Sequence, residues 1–129
     1  MKAILNNFRQ SPRKMRLVVD AVKGKTVREA EAMLSVMPKV ATVPLRKLLA
    51  SAVANAKENQ KATDTAMLII KDFRVDPGVV LKRSMPRAHG SAYQILKRTS
   101  KVTLILENQE SKKLEARSSK KTEVKVKSS

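Results

Sequence analysis

The stretch Lys82-Arg-Ser-Met-Pro-Arg-Ala-His-Gly-Ser-Ala-Tyr-Gln-Ile-Leu-Lys-Arg-Thr-Ser-Lys101 decides how this chain is built. It lies between two strand-like apolar starts, Val79-Val-Leu81 before it and Val102-Thr-Leu-Ile-Leu106 after it. Gly90, its only glycine, sits near the middle. The flanks are expected to pair as a hairpin arm over about residues 79–106. The tip falls at Met85, Pro86, Arg87, Ala88, His89, Gly90 and Ser91. With about ten residues per flank, the arm reaches ~30 Å at ~3.3 Å per residue. Its distal part has little to build a core from, because Ile95 and Leu96 are adjacent and point to opposite faces. A lone two-stranded hairpin is marginal in water. A basic hairpin without a core therefore reads as an element ordered by a polyanion.

Working outward, the arm needs a domain to stand on. Met67-Leu-Ile-Ile70 begins a strand-like run to Val75, and Asp76-Pro77-Gly78 reads as a turn that closes it. Upstream the period is helical. Ser11 reads as an N-cap with Pro12 at the first helical position, where its missing N–H is no loss. Met15, Val18, Val19 and Val22 follow at helical spacing, and Gly24 is a natural stop. Thr26-Val-Arg-Glu29 has the pattern of a capping box, in which hydroxyl and carboxylate each satisfy the other's backbone N–H. The helix it opens buries Val27, Ala30, Leu34 and Met37 and ends before Pro38. A third helix starts at Thr42-Val43-Pro44, carries the stripe Leu45, Leu48, Leu49, Ala52, Val53 and Ala56, and ends near Asn59. Residues 2–8 read as a short strand. The expectation is an α+β fold: three helices packed on a small antiparallel sheet, with a long protruding β-hairpin arm. One domain spans 1–108, and the Lys/Ser-rich residues 109–129 read as a flexible basic tail.

The charge points to the partner. Among 129 residues, 28 are Lys or Arg and 11 are Asp or Glu, a formal net charge of +17. The excess is segregated. Residues 1–28 hold eight basic residues and one acid, Asp20, while residues 77–106 hold six basic residues and no acid. Residues 29–76 are nearly balanced, with seven basic and six acidic. A charge kept only for solubility is normally smaller, about 2 to 8 for a small domain, and has no reason to be segregated. Two basic segments are the footprint of a nucleic-acid binder. The contacts are expected from Arg9, Ser11, Arg13, Lys14, Arg16, Lys23 and Lys25 in the first segment. In the arm they are expected from Lys82, Arg83, Arg87, His89, Lys97, Arg98 and Lys101.

Other chemistries find no support. The chain has no cysteine, which removes disulfides, thiolate metal sites and thiol nucleophiles and fits the cytosol. His89 is the sole histidine and has no acid near it in sequence to orient it. Gly24, Gly78 and Gly90 lack the spacing of a phosphate-binding or dinucleotide loop. No enzyme, cofactor or metal is expected. No apolar run approaches the ~18 residues of a membrane span, and no export signal follows Met1. With two Phe, one Tyr and no Trp, the chain cannot build a multi-ring platform for stacking bases. Binding is expected to rest on phosphate and shape. Met85-Pro86 also suits an apolar wedge of the kind that architectural DNA binders insert between bases, so a DNA-bending protein with a basic β-arm is the alternative.

Three motifs bear on that choice. Ser11-Pro-Arg-Lys-Met-Arg-Leu-Val-Val19, Arg46-Lys-Leu-Leu-Ala-Ser-Ala-Val-Ala-Asn-Ala56, and Lys82 to Ala92 with Lys97-Arg-Thr-Ser100 occur in this order. Together they resemble the bacterial family of large-subunit ribosomal protein twenty-two, over about residues 3–107. The resemblance implies an α+β domain on the outer surface of the large subunit and a hairpin threading inward. It implies binding of large-subunit ribosomal RNA, contacts with neighbouring ribosomal proteins, and a role in subunit assembly. It further implies that the tip, Met85 to Ser91, lines the nascent-peptide exit tunnel, with a link to macrolide action. His89 and Ser91 stand where many members carry Lys or Arg, and the tail after Asn108 has no counterpart.

Overall fold

The computed structural model describes residues 1–60 and 68–108. Its elements run β1 (Lys2–Phe8), α1 (Pro12–Val22), α2 (Val27–Val36), α3 (Thr42–Gln60), β2 (Leu68–Pro86), a single 3-10 turn (Ala88–Gly90) and β3 (Ala92–Asn108). The strands form one antiparallel sheet in the order β1-β3-β2. The fold is α+β, as the change of hydrophobic period implies. The Lys-rich tail expected after residue 108 and the strand start expected at Met67 lie outside the described residues.

The helices begin and end where their local chemistry dictates. Ser11 has extended backbone and precedes Pro12, although its side chain makes no capping bond. α1 gives way at Lys23 to Gly24, whose φ is +79°. At α2 the capping box is complete: Glu29 N–H donates to Thr26 Oγ1 at 3.3 Å, and Thr26 N–H donates to Glu29 Oε2 at 3.2 Å. α2 ends at Val36, and Met37 is its C-cap. The α3 stripe packs inward, with Leu45, Leu48, Leu49, Ala52 and Ala56 buried and Val53 partly so. Ala52 and Ala56 are small enough to let α3 lie close to its neighbours. One core joins Met15, Val18, Val19 and Val22 of α1, the α3 stripe, and Leu68, Ile70, Phe73, Val102, Leu104 and Leu106 of the sheet.

The expected turn at Asp76-Pro77-Gly78 is a correction. No turn forms there: β2 runs unbroken from Leu68 to Pro86, so the two strands expected on either side are one. Pairing with β3 shifts register between Pro77 and Val80 instead, which is a bulge. The reason is positional. β2 is an edge strand, where a proline without an N–H costs no ladder bond, and bulges tolerate proline and glycine. The partner strand continues on both sides of the irregularity, with Asp76 opposite Lys101 and Val80 opposite Arg98. Continuous pairing overrides a local turn preference.

The bulge marks where the domain ends and the arm begins. The buried positions of β2 end at Val75 and those of β3 begin at Thr99, and the strand residues between them are exposed or half-buried. Past the bulge, β2 and β3 pair only with each other, from Val80↔Arg98 to Pro86↔Ala92. The tip is closed by Arg87 N–H donating to Ser91 O at 2.9 Å. His89 (φ 57°) and Gly90 (φ 71°) take left-handed backbone to make that closure.

Candidate nucleic-acid interface

The arm is one side-chain layer thick on each face. Residues opposite each other in an antiparallel pair share a face, and neighbours along a strand alternate. Val80↔Arg98, Lys82↔Leu96, Ser84↔Gln94 and Pro86↔Ala92 therefore line one face. Leu81↔Lys97, Arg83↔Ile95 and Met85↔Tyr93 line the other. Each face carries two cations, Lys82 and Arg98 on one and Arg83 and Lys97 on the other. No acid answers them anywhere from Pro77 to Leu106. Arg87 and His89 stand exposed at the tip. An arm charged alike on both faces suits a polyanion that surrounds it better than one that touches a single side.

At the base of the arm the two basic segments meet. The link between β1 and α1 runs beside the first pairs of the arm. Arg9, Gln10 and Ser11 face Leu81, Leu96, Lys97, Arg98 and Thr99 across a cleft of about 450 Å³. Gln10 Oε1 is buried there without a hydrogen-bond partner. On the other side of the link, Ser11, Arg13, Lys14, Arg16, Pro77 and Arg98 line a second hollow of about 440 Å³. Arg98 belongs to both. The first turn of α1 contains no acid, so its dipole adds to the positive field of these side chains. Residues about 85 positions apart in sequence thus form one cationic neck.

Not every expected contact residue is free for a ligand. The Arg16 guanidinium donates from Nε and Nη2 to the Val75 carbonyl at 3.2 and 3.0 Å, tying α1 to the last buried residue of β2 before the arm. Lys23 Nζ lies 3.1 Å from Asp72 Oδ1. Lys25 accepts through its carbonyl from Ile70 N–H at 3.0 Å. Lys101 sits opposite Asp76, itself 3.9 Å from Arg74. Arg16 and Lys23 thus tie α1 to the sheet through their side chains and Lys25 does so through its backbone alone, whereas Arg9, Arg13, Lys14, Lys101 and the arm cations are exposed, with Arg83 donating from Nη1 to the Lys82 carbonyl at 2.9 Å. Sequence reasoning left out a third basic feature. Arg28, Arg46 and Lys57 rim a groove of about 450 Å³ between α2 and α3, with Glu31 among them. Apart from Val27 and Arg28, which end the first basic segment, its residues come from the nearly balanced middle segment, where cation counting gives no signal. Among the described residues no three His, Asp or Glu side chains gather as a metal site, and no helix is long and apolar enough to cross a membrane.

Comparison with known proteins agrees with the geometry. Residues 3–107 match the family described as ribosomal protein L22p/L17e. The chain belongs to that family. Large ribosomal subunit protein uL22 of Desulfitobacterium hafniense (strain Y51) is 52% identical over 105 residues, covering 81% of this chain and 91% of that protein. The uL22 proteins of Mesoplasma florum and Herpetosiphon aurantiacus are 49% and 47% identical over 108 and 109 residues, each covering 84% of this chain and 96% of the relative. The L22p/L17e match begins at the second residue of β1, takes in all three helices, the neck and the whole arm, and stops one residue short of the end of β3.

Proposed function

We propose that the protein is a structural constituent of the large ribosomal subunit, without catalytic activity, that binds large-subunit rRNA and supports subunit assembly. The observation that carries this reading is the arm: two cations on each face, no acid, and no core of its own. Such an element gains little by folding alone and much from phosphates on both sides. The neck residues Arg9, Ser11, Arg13 and Lys14 anchor the domain to RNA. Lys82, Arg83, Lys97 and Arg98 anchor the arm, with Arg16, Lys23, Lys25 and Lys101 adding charge at its root. The family likeness supports a cytoplasmic ribosome as the location, neighbouring large-subunit proteins as partners, and a tip that lines the nascent-peptide exit tunnel.

The alternative, a DNA-bending arm, fits less well. DNA-bending arms typically work as symmetric pairs, which calls for a dimer, and they lay one face in a groove. Co-sedimentation separates the two readings. A ribosomal component stays with the large subunit through moderate salt, whereas a nucleoid protein follows DNA.

The tunnel role is tested by deleting Met85-Pro86-Arg87. The core lies wholly below the bulge, so folding and incorporation into the large subunit are expected to persist while macrolide response or arrest-peptide stalling changes. Stoichiometric protein with both readouts unchanged defeats the tunnel role. Protein absent from the subunit defeats the division into anchoring stems and a shaping tip.

A further inference from the structure

The three aromatic residues have different fates. Phe73 is in the core at 2% exposure, Phe8 is partly buried against it, and Tyr93 is 64% exposed on the arm. Tyr93 faces Met85 across the hairpin, and the next pair toward the neck on the same face is Arg83↔Ile95. Arg83 is thus the diagonal neighbour of Tyr93, roughly 7–8 Å away and within reach of long and aromatic side chains. Within the arm there is no second layer to cover the ring, because the hairpin carries one layer of side chains on each face. The Arg83 guanidinium donates from Nη1 to the Lys82 carbonyl at 2.9 Å and has further N–H groups to offer on an exposed side chain. An exposed π surface with a cation as its diagonal neighbour and no acid along the arm suits a nucleotide: the base stacks and the phosphate pairs with the cation.

Resting on the rRNA-binding reading above, we propose that Tyr93 stacks one unpaired nucleobase of the bound RNA while Arg83 holds its phosphate. This adds a base contact to an interface otherwise built on phosphate and shape. Stacking is sequence-tolerant, since every base has a π face, so the site selects an unstacked base rather than a particular one.

Tyrosine is also a good strand former, and its pairing with Met85 helps hold the hairpin. The test separates the two roles. Full-length parent, Tyr93→Phe, Tyr93→Ile and Arg83→Ala are compared by filter binding to in-vitro transcribed large-subunit rRNA over a series of salt concentrations. Isoleucine keeps the strand preference and removes the π face, whereas phenylalanine keeps both. The expected result is that Tyr93→Phe binds like the parent and Tyr93→Ile binds about 5- to 150-fold more weakly. The slope of affinity against salt stays unchanged for both Tyr93 variants, because neither loses a phosphate contact, while Arg83→Ala flattens it. Parent-like affinity for Tyr93→Ile, or equal weakness of the Phe and Ile variants, overturns the stacking site and leaves rRNA binding intact. Failure of the parent itself to bind defeats the rRNA reading, and the stacking site with it.

Discussion

Gly78 and Thr99 meet at the neck so closely that a Cβ on Gly78 would lie 2.5 Å from Thr99 Oγ1. That hydroxyl donates to the Val79 carbonyl at 2.7 Å, so it is held in place. The contact lies at the register shift where domain becomes arm. Gly78→Ala is expected to cost about 1–3 kcal/mol, the usual range for overpacking, measured by urea unfolding. Combining it with Thr99→Ala should recover part of that loss, giving a non-zero coupling in the double-mutant cycle. Strict additivity would show that the two residues do not press on each other.

Arg16 and Arg13 are both basic residues of α1, yet they are expected to respond differently. Arg16 holds the Val75 carbonyl through two nitrogens, so Arg16→Ala should lower stability. Because the side chain is partly exposed, the loss is expected at about 1.5 kcal/mol, the lower end for hydrogen bonds to charged groups. Arg16→Lys should not restore it fully, since an ammonium lacks the planar fork. Thermal unfolding of the free protein reads both effects.

Among the described residues the Arg13 and Lys14 side chains make no hydrogen bond or ion pair, and both are exposed on the first turn of α1 at the neck. Arg13→Ala with Lys14→Ala should leave the melting temperature of the free protein nearly unchanged. It should weaken rRNA binding and flatten its salt dependence by about 0.7–0.9 log units per log salt for each lost phosphate contact. An unaltered slope would remove these two residues from the interface.

Leu49 is 2% exposed on the buried stripe of α3. Leu49→Ala is expected to cost about 2–5 kcal/mol, combining lost transfer energy with the cavity left behind. That is a large share of the stability of a small domain. Affinity for rRNA, corrected for the folded fraction, should not change. A normal denaturation midpoint would show that the site collapses around the smaller side chain.

What the sequence by itself determined is whatever depends on near neighbours along the chain. The capping box of Thr26 and Glu29, the stripe from Leu45 to Ala56, the left-handed turn prepared by Gly90 and the two acid-poor basic segments are all local, and each appears where it was expected. The fold class follows from these, because periods of 3.6 and 2 specify which faces must be covered. The tertiary structure decided matters in which a distant partner outweighs a local preference. Asp76-Pro77-Gly78 carries a turn signal, but β3 offers a partner on both sides of it, and the ladder turns it into a bulge. Arg16 counts as one cation among several until Val75 presents a carbonyl to it. Phe73 and Tyr93 are both aromatic residues in strands, yet one closes the core and the other faces out from a hairpin too thin to bury it. Periodicity assigns a side chain to a face; whether that face is covered depends on how many layers the assembled chain can stack there.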